Sequence, residues 1–124
     1  MYAIDTNILV YYANGDKGVM RFLLAEAEKN TPFFLATIAV VEFFSYPAIT
    51  PDTRTAYGSL FAFCRIIPLD YTLSLKAAEL RRGRRALKLG DSIIAATAIH
   101  TSSILLTRNI RDFKNIPGLK LRRI

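Results

Sequence analysis

Cysteine is nearly absent from this chain: its 124 residues include one, Cys64, in the apolar stretch "LFAFCRII". No intramolecular disulfide can form, which points to a reducing compartment and so to the cytoplasm. Nothing beside Cys64 would activate a thiol, and it reads as a small buried hydrophobe. Histidine is as scarce. His100 stands alone on an apolar helical pattern, as a core or surface residue, and without a Cys/His cluster zinc has no ligand set. No apolar run approaches the roughly 20 residues of a membrane helix. The first residues lack the basic stretch and cleavage site of a secretory signal. No GxxxxGK[ST] stretch is present, which excludes a P-loop, and repeats, linkers and low-complexity tracts are missing too.

What is present is apolar and regularly segmented. Hydrophobic residues make up 52% of the chain, enough for a core, and the length suits one domain over 1–124. "YAID", "PFFLAT", "RIIPLD", "SILLT" and "GLKLRRI" read as strands. "TNILVYYAN", "GVMRFLLAEAEKN", "IAVVEFFSY", "TPDTRTAYGSLFAFC", "YTLSLKAAELRRGRRAL" and "DSIIAATAIHTSS" read as helices. Thr37 is a candidate cap for the third of these and Asp70 or Thr72 for the fifth, while "RNIRDF" reads as a loop or turn. Strands that alternate with helices, and are apolar throughout, belong to a parallel sheet covered on both faces. The expected fold is a single three-layer α/β domain, with its ligand site beyond the carboxyl ends of the strands near the switch point of the sheet.

The charge of +7 is unevenly placed. Residues 1–80 hold six Lys/Arg and eight Asp/Glu, whereas residues 81–124 hold eleven and two. A polyanion, nucleic acid first, is the simplest partner for such a surface, although a basic face also serves solubility. Arg81, Arg82, Arg84 and Arg85 cluster in "ELRRGRRALK", and Arg108 and Arg111 flank a later loop. All six are candidates for phosphate contacts.

Four acids stand among apolar neighbours. Asp5 follows the first strand, Glu42 is the only charge in "FFLATIAVVEFFSY", Asp91 is the only one in "LGDSIIAATAI", and Asp112 lies just past "SILLT". Each has a plain alternative. Asp5 and Asp91 could cap helices, Asp112 could cap a turn or pair with Arg108 or Arg111, and Glu42 could sit at the rim of its helix. Glu42 is too far into its helix to be a cap, and a buried carboxylate needs a cation beside it. Together the four suit a hard divalent ion such as Mg²⁺ or Mn²⁺, which takes oxygen ligands and can promote phosphodiester hydrolysis.

With these residues in view the chain resembles the PIN-domain ribonucleases, in particular the VapC toxins of toxin–antitoxin pairs. The resemblance rests on "IDTNILVYY", the lone glutamate of "ATIAVVEFF", "ALKLGDSIIAATAI", and "LLTRNIRDF" followed by "PGLKL", and it spans the chain. It implies a parallel sheet wrapped by helices and Mg²⁺- or Mn²⁺-dependent endonucleolytic cleavage of RNA. It also implies a homodimer and a cognate antitoxin whose tail enters the active-site groove. Asp5, Glu42, Asp91 and Asp112 match the family's acidic positions, and Thr6 and Asn109 match polar positions beside them. Gly90 is often another residue in relatives, and the chain is near the short end for the family.

Three other readings compete. A catalytically idle RNA- or partner-binding module would gain from losing acids near RNA. A phospho-acceptor receiver domain would need a reactive aspartate after a middle strand, for which only Asp70 is available. A DNA-directed nuclease differs from an RNase here only through the family resemblance.

Overall fold

The computed structural model describes the backbone of all 124 residues, and the side chains of all but residues 53, 56 and 59. Five strands form one sheet: β1 (Tyr2–Ile4), β2 (Phe33–Ala36), β3 (Cys64–Ile67), β4 (Ile104–Leu106) and β5 (Lys120–Arg122). Every pairing is parallel, in the order β3-β2-β1-β4-β5. Seven helices flank it: α1 (Thr6–Ala13), α2 (Lys17–Glu28), α3 (Thr37–Phe44), α4 (Pro51–Ala62), α5 (Tyr71–Gly83), α6 (Leu89–His100) and the single turn α7 (Ile110–Phe113).

The order follows from the residues. β1 and β2 are buried at every position, as apolar runs without alternation require. β3 and β5 form the edges and carry Arg65, Lys120 and Arg122, charges that discourage pairing with another chain. The chain builds β1, β2 and β3 outward on one side and then returns to the far side of β1 for β4. The strand order therefore reverses at β1/β4, where a parallel sheet opens a crevice.

Helix α6 is buried continuously from Ser92 to Ala98. Its small residues Ala95, Ala96 and Ala98 let it pack closely against β1 and β2, and α5 and α3 lie against it. Its buried hydroxyls are satisfied within the helix: Ser92 Oγ donates to the Leu89 carbonyl at 2.6 Å and Thr97 Oγ1 to that of Ile93 at 2.8 Å.

Several local expectations change. Thr37 is not the cap of α3 but its first residue. Its hydroxyl donates to the Ile67 carbonyl at 2.8 Å and accepts from Leu69 N–H at 3.2 Å, fastening the end of β3 to α3. Asp70, not Thr72, caps α5, accepting from Leu73 N–H at 2.8 Å. That use as a cap removes the acceptor aspartate a receiver domain would need. "RNIRDF" contains the helical turn α7. Cys64 is half-buried on the edge strand β3 rather than in the core, yet burial still pushes its thiol up to about 11. His100 is exposed in the last turn of α6. Among the described residues no helix is long and apolar enough to cross a membrane.

Candidate active site

Asp5 occupies the first residue after β1, and the backbone there is extended, as at a helix N-cap. Its carboxylate makes no capping bond. Instead its Oδ2 accepts from the Thr107 hydroxyl at 2.6 Å, and its N–H donates to the Leu106 carbonyl at 3.1 Å. Both bonds cross from β1 to β4, so the carboxylate is pinned at the strand-order reversal. Asp5 is only 4% exposed. Burial pushes its pKa up to about 6; the Thr107 hydrogen bond opposes this, and the charges of Asp91 and Glu42 add to it.

The other acids arrive on helices. Glu42 lies in the last turns of α3, half-buried, and accepts a short hydrogen bond from the Thr6 hydroxyl at the start of α1. Asp91 stands inside the first turn of α6, not at its cap, which is Lys88. Burial raises its pKa above the usual carboxylate range, and the charge of Asp112 reinforces the shift. Asp5, Glu42 and Asp91 line one open cleft of about 640 Å³ with Thr6, Asn7, Lys88 and Asn109.

Asp112 is not on that cleft. It lines an adjoining one that shares Asp91 and Lys88 and also holds Arg84 and Arg111. Its carboxylate accepts from the Asn109 side-chain amide through a short hydrogen bond, and it pairs with neither Arg108 nor Arg111. The four acids thus form a row of two clefts hinged on Asp91 rather than one ring. As these side chains stand, no group of three Asp, Glu, His or Cys residues is drawn tightly enough to hold an ion among the described residues. Like charges account for the spacing, since each of Asp5, Glu42 and Asp112 turns toward a neutral donor.

The donor chemistry nonetheless fits a hard cation. All candidate donors are oxygens, and Asp5 and Asp91 are each unfavourably charged partly because of their neighbours. Among the described side chains, Asn7 Oδ1 is the buried polar atom left without a hydrogen-bond partner, and Asn7 lines the same cleft. A divalent ion would relieve all three conditions. Asn7 and Thr107 were not among the residues singled out from the sequence. Asn7 stood in the quoted "IDTN" without a role, and Thr107 needed the β1/β4 pairing to be recognised.

The arginines divide. Arg84 donates to the carbonyls of Asp112 and Lys114 at 2.9 Å and of Arg111 at 3.2 Å, bracing the turn that carries Asp112. Arg108 grips the Asp16 carboxylate at 2.7 and 3.0 Å, donates to the Ile124 carbonyl at 2.7 Å and stacks on Tyr11. Arg81 donates to the Leu87 carbonyl at 3.2 Å. Arg82, Arg85 and Arg111 are exposed, with no side-chain bond among the described residues. Lys88, at the mouth of both clefts, is a cation the sequence reading passed over.

Comparison with known proteins agrees with this fold. The PIN domain family model matches residues 2–119. Ribonuclease VapC2 of Rickettsia felis is 28% identical, over 98% of this chain and 96% of the relative. Among solved structures, VapBC2 from Rickettsia felis bound to a promoter DNA fragment matches with a TM-score of 0.87 and 26% identity, over 99% of this chain and 98% of that one. A toxin–antitoxin complex from Klebsiella pneumoniae matches with a TM-score of 0.81 and 28% identity, over 96% and 95% of the two chains. With the family model covering nearly the whole length and the acids gathered at the strand-order reversal, the chain belongs to the PIN-domain family.

Proposed function

We propose that this protein is a metal-dependent endoribonuclease, the toxin of a toxin–antitoxin pair. The observation that carries the reading is the convergence of Asp5, Glu42 and Asp91 on one open cleft at the β1/β4 crevice. A binding module would not keep three mutually repelling carboxylates where an RNA backbone must approach, so the idle alternative is not favoured.

Asp5, Asp91 and Glu42 are the residues that would hold the ion, Mg²⁺ or Mn²⁺, with Asp112 reached across Asp91. Held there, the ion supplies positive charge beside the scissile phosphate and makes water a better nucleophile near neutral pH. The chain does the rest. Thr107 fixes the rotamer of Asp5, Thr6 fixes Glu42, and Asn109 fixes Asp112. Lys88 offers a cation to a phosphate at the mouth, and Arg82, Arg85 and Arg111 extend the track for the backbone. Arg84 steadies the Asp112 turn rather than touching RNA.

An antitoxin is the expected protein partner and the cytoplasm the expected site of action. A homodimer is supported by the exposed apolar side chains Tyr71 and Leu75 on α5 and Leu89 on α6, 79%, 55% and 58% exposed. The activity is tested by incubating the purified protein with structured RNAs in Mg²⁺, Mn²⁺ or EDTA. Internal cleavage is expected with metal, and cleavage undiminished in EDTA would defeat the metal mechanism.

A further inference from the structure

Helix α6 opens with a residue that weakens it. Gly90 stands in its first turn, where alanine would favour the helix. The backbone does not call for glycine there, because the glycines with positive φ are Gly15 and Gly118. Space does. A Cβ built on Gly90 would collide with Glu42 Oε1, and it would stand 3.2 Å from Glu42 Cδ and 3.8 Å from Oε2. All three nearest atoms belong to one carboxylate group. That carboxylate is held from the other side by the Thr6 hydroxyl on Oε2. Glu42 therefore lies between Thr6 and the bare first turn of α6, one residue from Asp91.

We infer that Gly90 is a positioning residue, whose missing side chain lets the Glu42 carboxylate reach past α3 and lie beside Asp91. The inference rests on reading this cleft as the metal-dependent nuclease site, and it adds what sets the reach of its glutamate. With Glu42 held as it is in this chain, a Cβ at 90 would push its carboxylate off the place it occupies in the cleft. The displaced atoms are the far end of a flexible side chain, so the fold accommodates the change while the site does not.

Three variants test this: Gly90→Ala, Glu42→Asp and the double substitution. Melting is followed in EDTA and in Mn²⁺, and RNA cleavage is measured alongside. In EDTA, Gly90→Ala is expected to melt no lower than the parent, because alanine improves the helix. Its Mn²⁺-induced rise in Tm should shrink, since a ligand stabilises only as far as it binds, and cleavage should fall tenfold or more. In the Glu42→Asp background the shorter side chain leaves nothing over residue 90 to displace. There, Gly90→Ala should change both readouts less than twofold. Equal losses in both backgrounds would overturn the inference, because position 90 would then act independently of Glu42. So would a parent-like Mn²⁺ increment and cleavage in Gly90→Ala, or a lowered Tm in EDTA. A parent protein with no Mn²⁺ increment would overturn the metal reading of the cleft, and the inference with it.

Discussion

At the carboxyl end of the sheet three carboxylates face one cleft, and among the described residues none is in an ion pair. Along the end of α5 and the loop after β4, six arginines lie in a strongly basic region, yet three of them are bonded to carbonyls or to Asp16. The two regions handle charge in opposite ways. Asp5 and Glu42 keep theirs, each steadied by a neutral hydroxyl, of Thr107 and of Thr6. Half of the arginines give theirs to the architecture. A charge that folding leaves uncompensated at a crevice is available for chemistry, whereas one tied into backbone carbonyls is a brace.

The comparison breaks most visibly if the acids are braces too. Glu42→Gln keeps the shape and removes the charge. Cleavage should fall by about 10²-fold or more, the usual scale for losing one electrostatic stabiliser of a transition state, while Tm in EDTA should not fall. Single-turnover RNA cleavage and a thermal melt on the same preparation decide it. A large loss of stability in EDTA would make Glu42 half of a buried ion pair, whose breaking costs about 3–5 kcal/mol.

Asp5 tests the same point through pH. Burial lifts its pKa in the folded protein to about 6 from an ordinary value of 3.8. The folded protein thus holds this proton more tightly than the unfolded chain, so this group's contribution to metal-free stability falls as pH rises from about 4 to 6 and stays low above that. The shift sets an upper limit of about 3 kcal/mol on the cost at neutral pH. Asp5→Asn, whose amide oxygen still accepts from Thr107, should raise Tm in EDTA at pH 7 and leave it unchanged near pH 4. No rise at pH 7 would mean the Asp5 charge is already neutralised within the fold.

The arginines come next in size. Replacing Arg82, Arg85 and Arg111 with glutamine should weaken RNA binding and flatten its salt dependence by about 2 in the log–log slope if each contacts one phosphate of a single strand. Arg84→Gln should leave that slope unchanged and instead lower Tm, because three carbonyls of the α7 turn lose their donor. A slope that changes for Arg84→Gln alone would exchange the two roles.

Much of this was legible in the residues, and what was not has a physical reason. The apolar, non-alternating runs around Ile4, Leu35 and Leu105 announce a buried parallel sheet, and acids after "YAI" and inside "AVVEFF" stand out because burial forbids unpaired charge. Composition cannot tell which basic side chains find carbonyls. Arg84 and Arg82 are two residues apart in one cluster, and only the turn carrying Asp112, 28 residues beyond Arg84, separates their roles. Thr107 and Asp5 meet across 102 residues of sequence, so their bond appears only once β1 pairs with β4. The splitting of the acids between two clefts is likewise a matter of angle around α6 and α7, which spacing alone leaves open.

The smallest effect belongs to Asp16, an aspartate of the opposite kind to Asp5. It caps α2, accepting from Gly18 and Val19 N–H at 3.0 Å each, and Arg108 clamps it from the end of β4. Arg108 above all, then the bond from Val19, lowers its pKa to about 2. The sign is therefore reversed: its contribution is present above the unfolded value of about 3.8 and is lost as pH falls through 2. Asp16→Asn retains an oxygen for the cap and loses the ion pair. Because the pair is partly open to solvent, the fall in Tm at pH 7 should be slight and should fade in high salt. The difference from the parent should vanish as pH approaches 2, just where Asp5 has ceased to matter. A deficit that persists at pH 2 would place the role of Asp16 in its cap geometry, and Arg108 would then be released as a candidate for the RNA track after all.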